Sequence, residues 1–483
     1  MFLGLDLGTS GLRALLVTAD GQVAGQAEAA YPVAHPHAGW SEQDPADWVT
    51  ALGQVVAELA AAHPAQMAAV RGLATSGHMH GAVMLGADGR VLRPAILWND
   101  TRSHAEAAAL DVQPAFREVS GNIVFPGFTA PKLAWVARHE PEIFGQVATV
   151  MLPKDYLNYW LTGRLTSDMS DAAGTSWLDV GARAWSTDLL TASGMRADQV
   201  PELLEGTDVV GPVRADRAQA LGLPEGCAVV AGGADNAVAA CGIGALGEGQ
   251  GFVSLGTSGV LLAGRDGFAP RAESAVHTFC HAIPGAWYQM GVVLAATDSL
   301  NWLGRITGET PAALAGGLGD DLQGPGPVRF LPYLSGERTP HNDSVLRGAF
   351  LNLDIGSDRT AMAKAVMEGV SFSLKDCLDA LGQTGARLDR VIGIGGGIQS
   401  AYWCKLLATV LGIPVDLPAA GEFGAALGAA RLAICGVTGA APEDVMTPPD
   451  IARSVDPETG HVAAFAEAHQ RYKRSYPAVL DLQ

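Results

Sequence analysis

The chain has 483 residues, 48% of them apolar, with 50 acidic against 31 basic side chains and a formal charge of −19. Its length exceeds one ordinary core, so two domains are expected, three at most. The charge argues against nucleic acid and anionic membrane as partners, no apolar run is long enough to span a bilayer, and no signal-peptide pattern opens the chain.

Residues 2–8 predict a buried strand that carries Asp6 among apolar neighbours, and the turn GTSG leads into a second run, LRALLV. Asp20-Gly21 marks a hairpin into a third strand. Asp44 caps and Pro45 opens a helix in which Trp48, Leu52, Val55, Val56 and Leu59 recur at helical spacing. VRGLATS then predicts a further strand. This order, β-β-β-α-β, differs from the strict alternation of a dinucleotide fold. The opening is echoed later: VSLGTSGVLLA at 253–263 repeats LGTSG, with Leu255 standing 248 residues after Leu7. A duplication explains the echo and puts a domain boundary near residue 245, in a Gly/Ala-rich stretch. A third glycine cluster, VIGIGGGIQS at 391–400, follows an apolar strand, and GEFGAALGAARLA runs into an Ala-rich helix. The tail after about residue 440 is Pro- and charge-rich, then helical. Six scattered cysteines without a CxxC pair suggest reduced thiols in a cytoplasmic protein rather than a zinc site or a disulfide framework.

An anionic ligand on so acidic a chain must be held locally. Successive N–H groups in a Gly-rich turn form a concavity for anions, and Thr9, Ser10, Thr257 and Ser258 add hydroxyl donors. A plain hairpin turn suits GTSG equally well. No Walker motif is present, and GIGGG is not a dinucleotide fingerprint. Asp6 beside a polyphosphate would need a metal between them, and Mg2+ takes such a carboxylate directly or through water; otherwise Asp6 is a buried acid satisfied by turn N–H groups. Asp235 in GGADNA lies at the inferred junction, where a cleft is expected. It is either a turn former or a base for an alcohol, with Asn236 beside it for a hydroxyl. The loop SGHMHG offers His78, Met79 and His80 to a small ligand. Trp98 in ILWNDTRS provides an apolar face of the kind polyols use.

These segments, with WSEQDP at 40–45, PGFTAPKLAWV at 126–136, SDMSDAAGTSWLDV and FLPYLSGERTPH at 330–341, occur in the order used by the FGGY family of carbohydrate kinases, which the chain resembles over nearly its whole length. The resemblance implies an α/β fold of two actin-like, ribonuclease-H-like domains, 1–245 and 246–483, flanking a central cleft. It implies ATP and Mg2+ as cofactors and transfer of phosphate to a sugar, D-xylulose at O5. Asp235 falls on the base and Asp6 on the carboxylate of the metal-bound nucleotide. Met79, His80, Asp235 and Asn236 fall on sugar-binding positions, Thr9, Gly256 and Thr257 on phosphate hairpins. Gly395, Gly396 and Gly397 fall on the adenosine loop, with segment 421–423 beside it. His78 departs from the Gln usual before Met-His-Gly, which keeps ribulose, gluconate and other polyols open as substrates. A catalytically silent sugar sensor and a chaperone-type actin-like ATPase are rivals of a different kind. The implied partners are the sugar and ATP, and a homodimer is compatible with the sequence.

Overall fold

A computed structural model describes residues 1–419 and 424–482, so the expectation on 421–423 lies outside the described residues. The N-terminal half builds a six-stranded sheet from β1 (Phe2–Leu7), β2 (Gly11–Val17), β3 (Val23–Ala30), β4 (Gly72–Gly77), β5 (Val209–Pro212) and β6 (Ala228–Ala234). Its order is β5-β6-β4-β1-β2-β3. The C-terminal half builds a seven-stranded sheet from β7 (Gly251–Leu255), β8 (Gly259–Arg265), β9 (His277–Cys280), β10 (Trp287–Val293), β11 (Val391–Ile394), β12 (Val415–Pro418) and β13 (Ile451–Val455). Its order is β9-β10-β8-β7-β11-β12-β13.

Six strands of the two sheets match, and β9 is an additional edge strand of the second. Strands β1, β2, β3, β4, β6 and β5 correspond to β7, β8, β10, β11, β12 and β13. Both begin with an antiparallel hairpin, continue antiparallel into a third strand, and add two parallel neighbours beside the first strand and an antiparallel edge. Only the edge differs in connection, since β5 precedes β6 whereas β13 follows β12. The repeated LGTSG is therefore the tip of the same hairpin in both sheets.

Local chemistry accounts for the elements around these sheets. Helix α1 (Pro45–Ala62) starts where Asp44 accepts from the Ala46 N–H at 2.9 Å, and it buries Trp48, Leu52, Val55, Val56 and Leu59. Helix α2 (Thr129–His139) and helix α3 (Pro153–Thr162) bury Lys132 and Lys154. Helix α4 (Asp235–Ile243) follows β6 directly. The sequence reading placed Asp235 in a glycine loop. Instead Gly232, at φ +75°, lets β6 press against β4: a Cβ there would stand 1.8 Å from the Thr75 carbonyl. The glycines extend the strand, and Asp235 opens the helix.

The C-terminal half adds α5 (Thr297–Thr307), α6 (Arg359–Gln383), α7 (Ala401–Leu411), α8 (Ala425–Thr438) and α9 (Thr459–Leu480). Helix α8 is the expected Ala-rich helix, and it lies on the first sheet against β1 and β4 while crossing α4. The approach is close enough to need glycine. A Cβ on Gly4 would stand 1.8 Å from the Ala426 carbonyl, and one on Gly428 1.8 Å from that of Val238. Arg431 Nη1 donates to the carbonyls of Cys241, Gly242 and Thr447 at 3.0–3.1 Å, closing the C-terminal end of α4. One apolar core accordingly draws on both sheets, with Val230, Val238, Phe252, Tyr288, Ala429 and Leu432 in contact. All six cysteines are buried and unpaired. Among the described residues no helix is long and apolar enough to cross a membrane.

Gly428→Val forces a side chain into the α4–α8 crossing and lowers unfolding stability by roughly 3 kcal/mol. Gly53→Ala, in α1 with no atom within 4 Å of the new methyl, instead raises it by about 0.5–1 kcal/mol. Urea unfolding of both variants checks the pair.

Candidate active site

Strand register brings the two acidic residues to one edge. Leu7 pairs with Gly77, and Gly77 with Ala234, so β1, β4 and β6 end level. Asp6 stands one residue before that line and Asp235 one residue after it. Two strand spacings separate their backbones by about 10 Å, and both side chains are half-buried. Burial pushes the Asp235 carboxyl up to about 7, and the Asp6 charge pushes it the same way; hydrogen bonds from Asn236 oppose the rise. Burial also raises Asp6. A hydrogen bond with Ser76 and the Arg13 charge oppose the rise at Asp6, so the like-charge effect falls on Asp235, across β4.

Asp235 is held from behind. Asn236 donates to Asp235 Oδ1 through its backbone N–H at 2.7 Å and its amide at 2.9 Å. The preceding N–H, of Ala234, donates to Ser170 Oγ at 3.0 Å. Ser170 is fixed by its N–H at 2.7 Å from Asp168 Oδ2, and Asp168 Oδ1 lies 2.8 Å from Lys154 Nζ. Lys154 and Asp168 are fully buried. A buried ion pair is thereby wired through one serine to the residue before the candidate base.

The loop after β4 divides its three candidates. His80 adopts a left-handed backbone, φ +70°, uncommon outside glycine. Its carbonyl accepts from Lys132 Nζ at 2.8 Å and Thr129 Oγ1 at 3.1 Å, and its ring stacks on Phe128 with centroids 4.4 Å apart. His80 Nδ1 lies 2.7 Å from the Gly174 carbonyl. A carbonyl only accepts, so Nδ1 carries the hydrogen. Burial holds the ring well below its usual pKa, so it is neutral and Nε2 keeps a lone pair for a ligand hydroxyl. Met79 lies beside it, its sulfur 3.8 Å from the Tyr288 hydroxyl. Gly174 must be glycine, because a Cβ there would stand 2.4 Å from His80 Nδ1 and 2.8 Å from Met79 Cε. The Asp235 charge acts on Tyr288 and raises its pKa further, after burial, and Tyr288 meets Met79, the neighbour of His80. His78 turns its ring toward Trp48, centroids 5.9 Å apart, with both ring nitrogens buried and unpartnered.

The first hairpin tip, Thr9-Ser10, is braced by Gln43 Nε2 on the Thr9 carbonyl at 2.7 Å and by Trp98 Nε1 on Thr9 Oγ1 at 3.0 Å. Trp98, expected at the sugar, joins this hairpin through its indole N–H. At the second tip, the Gly256 carbonyl accepts from Thr297 N–H and Oγ1 at 3.0 and 2.8 Å, and the Thr257 carbonyl from Ala296 N–H at 2.9 Å. The glycine loop abuts this hairpin. Gly395, at φ +90°, would put a Cβ 2.7 Å from the Leu255 carbonyl, and Gly397 one 2.7 Å from Leu255 Cβ. Gly396 and Gly397 line a cavity of about 520 Å³, together with Thr297, Asn301, Ala312 and Gln399. Asn301 escaped the sequence reading because it lies in no sequence motif; Gln399 in VIGIGGGIQS and Gly174 in DAAGTS were visible but had no stated reason.

The N-terminal domain model of the FGGY family of carbohydrate kinases matches residues 1–242, and the C-terminal domain model matches 251–437. The xylulose kinase of Escherichia coli (strain K12) is 44% identical over the whole of both chains. That of Bacillus subtilis (strain 168) is 39% identical over 90% of this chain and 88% of its own. A crystal structure of a xyloylose kinase from Brucella ovis is 52% identical, with a TM-score of 0.97 over 100% of this chain and 99% of that one. The xylulose kinase structure from Rhodospirillum rubrum is 28% identical, with a TM-score of 0.91 over 99% of each chain. The fold is the expected two-domain α/β sugar-kinase fold.

Because burial and the Asp6 charge both disfavour ionised Asp235, its base form appears only as pH rises through about 7. In nucleotide-free protein, 13C NMR of the aspartate carboxyls is expected to show that midpoint. Asp6→Asn removes the like charge and lowers it by roughly one unit. A midpoint near 4, or one that D6N leaves in place, contradicts the coupling.

Proposed function

The chain belongs to the FGGY family of carbohydrate kinases, and on that premise we propose that it phosphorylates D-xylulose at O5 with ATP as donor. The sugar's O5–H is oriented toward Asp235, which accepts the proton as O5 bonds to the γ-phosphorus and the bond from that phosphorus to the bridging oxygen of ADP breaks. The observation that carries this reading is a half-buried carboxylate, raised to about 7, at the level end of three parallel strands, where α/β sheets take their ligands.

Each remaining role follows from the chemistry of the groups present. His80 Nε2 accepts a sugar hydroxyl, Asn236 offers amide atoms, and Met79 packs against the carbon skeleton. The hairpin N–H groups and hydroxyls of Thr9, Ser10, Gly256 and Thr257 hold phosphate oxygens. Trp98 fixes the Thr9 hydroxyl so that its proton points to the ligand. Gly395, Gly396 and Gly397 admit the nucleoside to the adjoining cavity. Asp6, a half-buried hard oxygen donor beside a second carboxylate, fits Mg2+, which when bound neutralises phosphate charge. The domains in this reading are 1–245 and 246–483, with α8 returning to the first. Six buried, unpaired thiols support a reducing, cytoplasmic setting.

Asp235→Asn is expected to lower kcat for sugar phosphorylation by about 10²–10⁴-fold while leaving the circular dichroism spectrum unchanged. A coupled ADP-release assay across D-xylulose, D-ribulose, gluconate and glycerol is expected to give the highest kcat/KM with D-xylulose. A higher value for another of the four reassigns the substrate, and near-normal turnover by D235N removes the base.

A further inference from the structure

The segment following Leu334 delivers a cation to the sugar wall from the C-terminal half. Glu337 Oε1 accepts the N–H groups of Leu294 at 3.1 Å and Arg338 at 2.8 Å. Thr339 Oγ1 accepts the Val292 N–H at 3.1 Å and donates to the Ala275 carbonyl at 2.8 Å. The Thr339 N–H donates to the Val292 carbonyl at 3.1 Å. Arg338 is therefore bolted on both sides to the end of β10, and its side chain has a set direction.

That side chain is short of acceptors. The guanidinium lies 4.5 Å from the centroid of the Phe125 ring, and Nη1 lies 3.4 Å from His277 Nε2. Among the described residues no carboxylate lies within 4.0 Å of it. Burial lowers its pKa to about 10, so it remains charged at neutral pH. Five N–H donors with one long contact, on a half-buried group, call for a ligand oxygen.

Its place on the wall says which end of the ligand. His277 lies 5.1 Å from Phe125 and 5.8 Å from Phe128, and Phe128 stacks on His80 at 4.4 Å. The ring contacts run from His80 through Phe128 and His277 to Arg338, while Met79 beside His80 meets Tyr288, on which the Asp235 charge acts. Arg338 thus lies beyond His80 along this aromatic chain, at the end away from Met79 and Tyr288.

Resting on the proposed function, we infer that Arg338 is a specificity-determining residue that donates to the ketose end of the sugar, the C1 hydroxyl and C2 carbonyl, remote from the O5 at Asp235. Two adjacent oxygens match the guanidinium fork. The neutral acceptor His80 Nε2 and the donor Arg338 then read different oxygens of the same open chain, and the cation favours a carbonyl over the alcohol at C2.

The test compares Arg338→Met and Arg338→Lys with the wild-type enzyme. KM for D-xylulose, KM for ATP and the inhibition constant of D-arabinitol, which has a hydroxyl in place of the C2 carbonyl, are measured together. R338M is expected to raise KM for D-xylulose at least tenfold with KM for ATP within twofold, and to weaken D-arabinitol less. R338K is expected to fall between R338M and wild type, and it carries the test alone if R338M does not accumulate. An unchanged KM for D-xylulose, or equal losses for ketose and alditol with a lowered thermal midpoint, assigns Arg338 to bracing and overturns the inference. Wild-type enzyme that turns over D-xylulose normally beside such variants leaves the proposed function standing. Wild-type enzyme that does not phosphorylate D-xylulose overturns both.

Discussion

Two carboxylates placed at the level ends of neighbouring parallel strands cannot both ionise freely in a half-buried setting, and much of this structure serves that constraint. Burial, with the Asp6 charge second to it, raises Asp235 to about 7, so protonated and ionised forms coexist near neutrality. In the proposed reaction Asp6 would hold a cation that offsets its own charge, and Asp235 would accept the sugar proton.

Rigid surroundings make that possible. The Leu7–Gly77–Ala234 register is set by parallel pairing, and the Lys154–Asp168–Ser170 chain fixes the residue before Asp235. A buried ion pair is weak evidence for stability; here its geometry serves orientation, since it ends on the N–H group next to Asp235. The proposed nucleotide side is built by duplication: the same hairpin corner occurs in both sheets, and the second copy adds a glycine loop and a cavity. Small residues do the rest. The α4–α8 crossing depends on Gly428, and the first sheet's contact with α8 depends on Gly4. The two halves are therefore joined by close backbone contact.

Much of this was legible in the sequence because short-range chemistry forces it. An identical LGTSG pentapeptide imposes the same turn twice, and an Asp-Pro cap before a periodic apolar run leaves little but α1. The strand–helix junction at Asp235 was misread, since glycines that seat β6 against β4 look like loop glycines until the partner strand is known. Strand β13 was invisible because four of its five residues are exposed, so no alternation marks it. His78 and His80 are two residues apart on a loop, and the left-handed backbone at His80 separates their rings, which spacing alone does not reveal. Trp98 was read only as a sugar face; its hydrogen bond to Thr9, 89 positions away, is a contact that spacing does not reveal. Arg338 lies in the segment FLPYLSGERTPH but was given no role there: its meaning comes from Phe125 and His277, distant in the chain and adjacent only in the fold.

The most direct measurement is a crystal structure with Mg2+, a non-hydrolysable ATP analogue and D-xylulose bound together. The account predicts an Asp6 oxygen coordinating the metal directly or through one water, and the sugar O5 within about 2.6–3.2 Å of an Asp235 oxygen. A metal held elsewhere, or O5 turned away from Asp235, contradicts it.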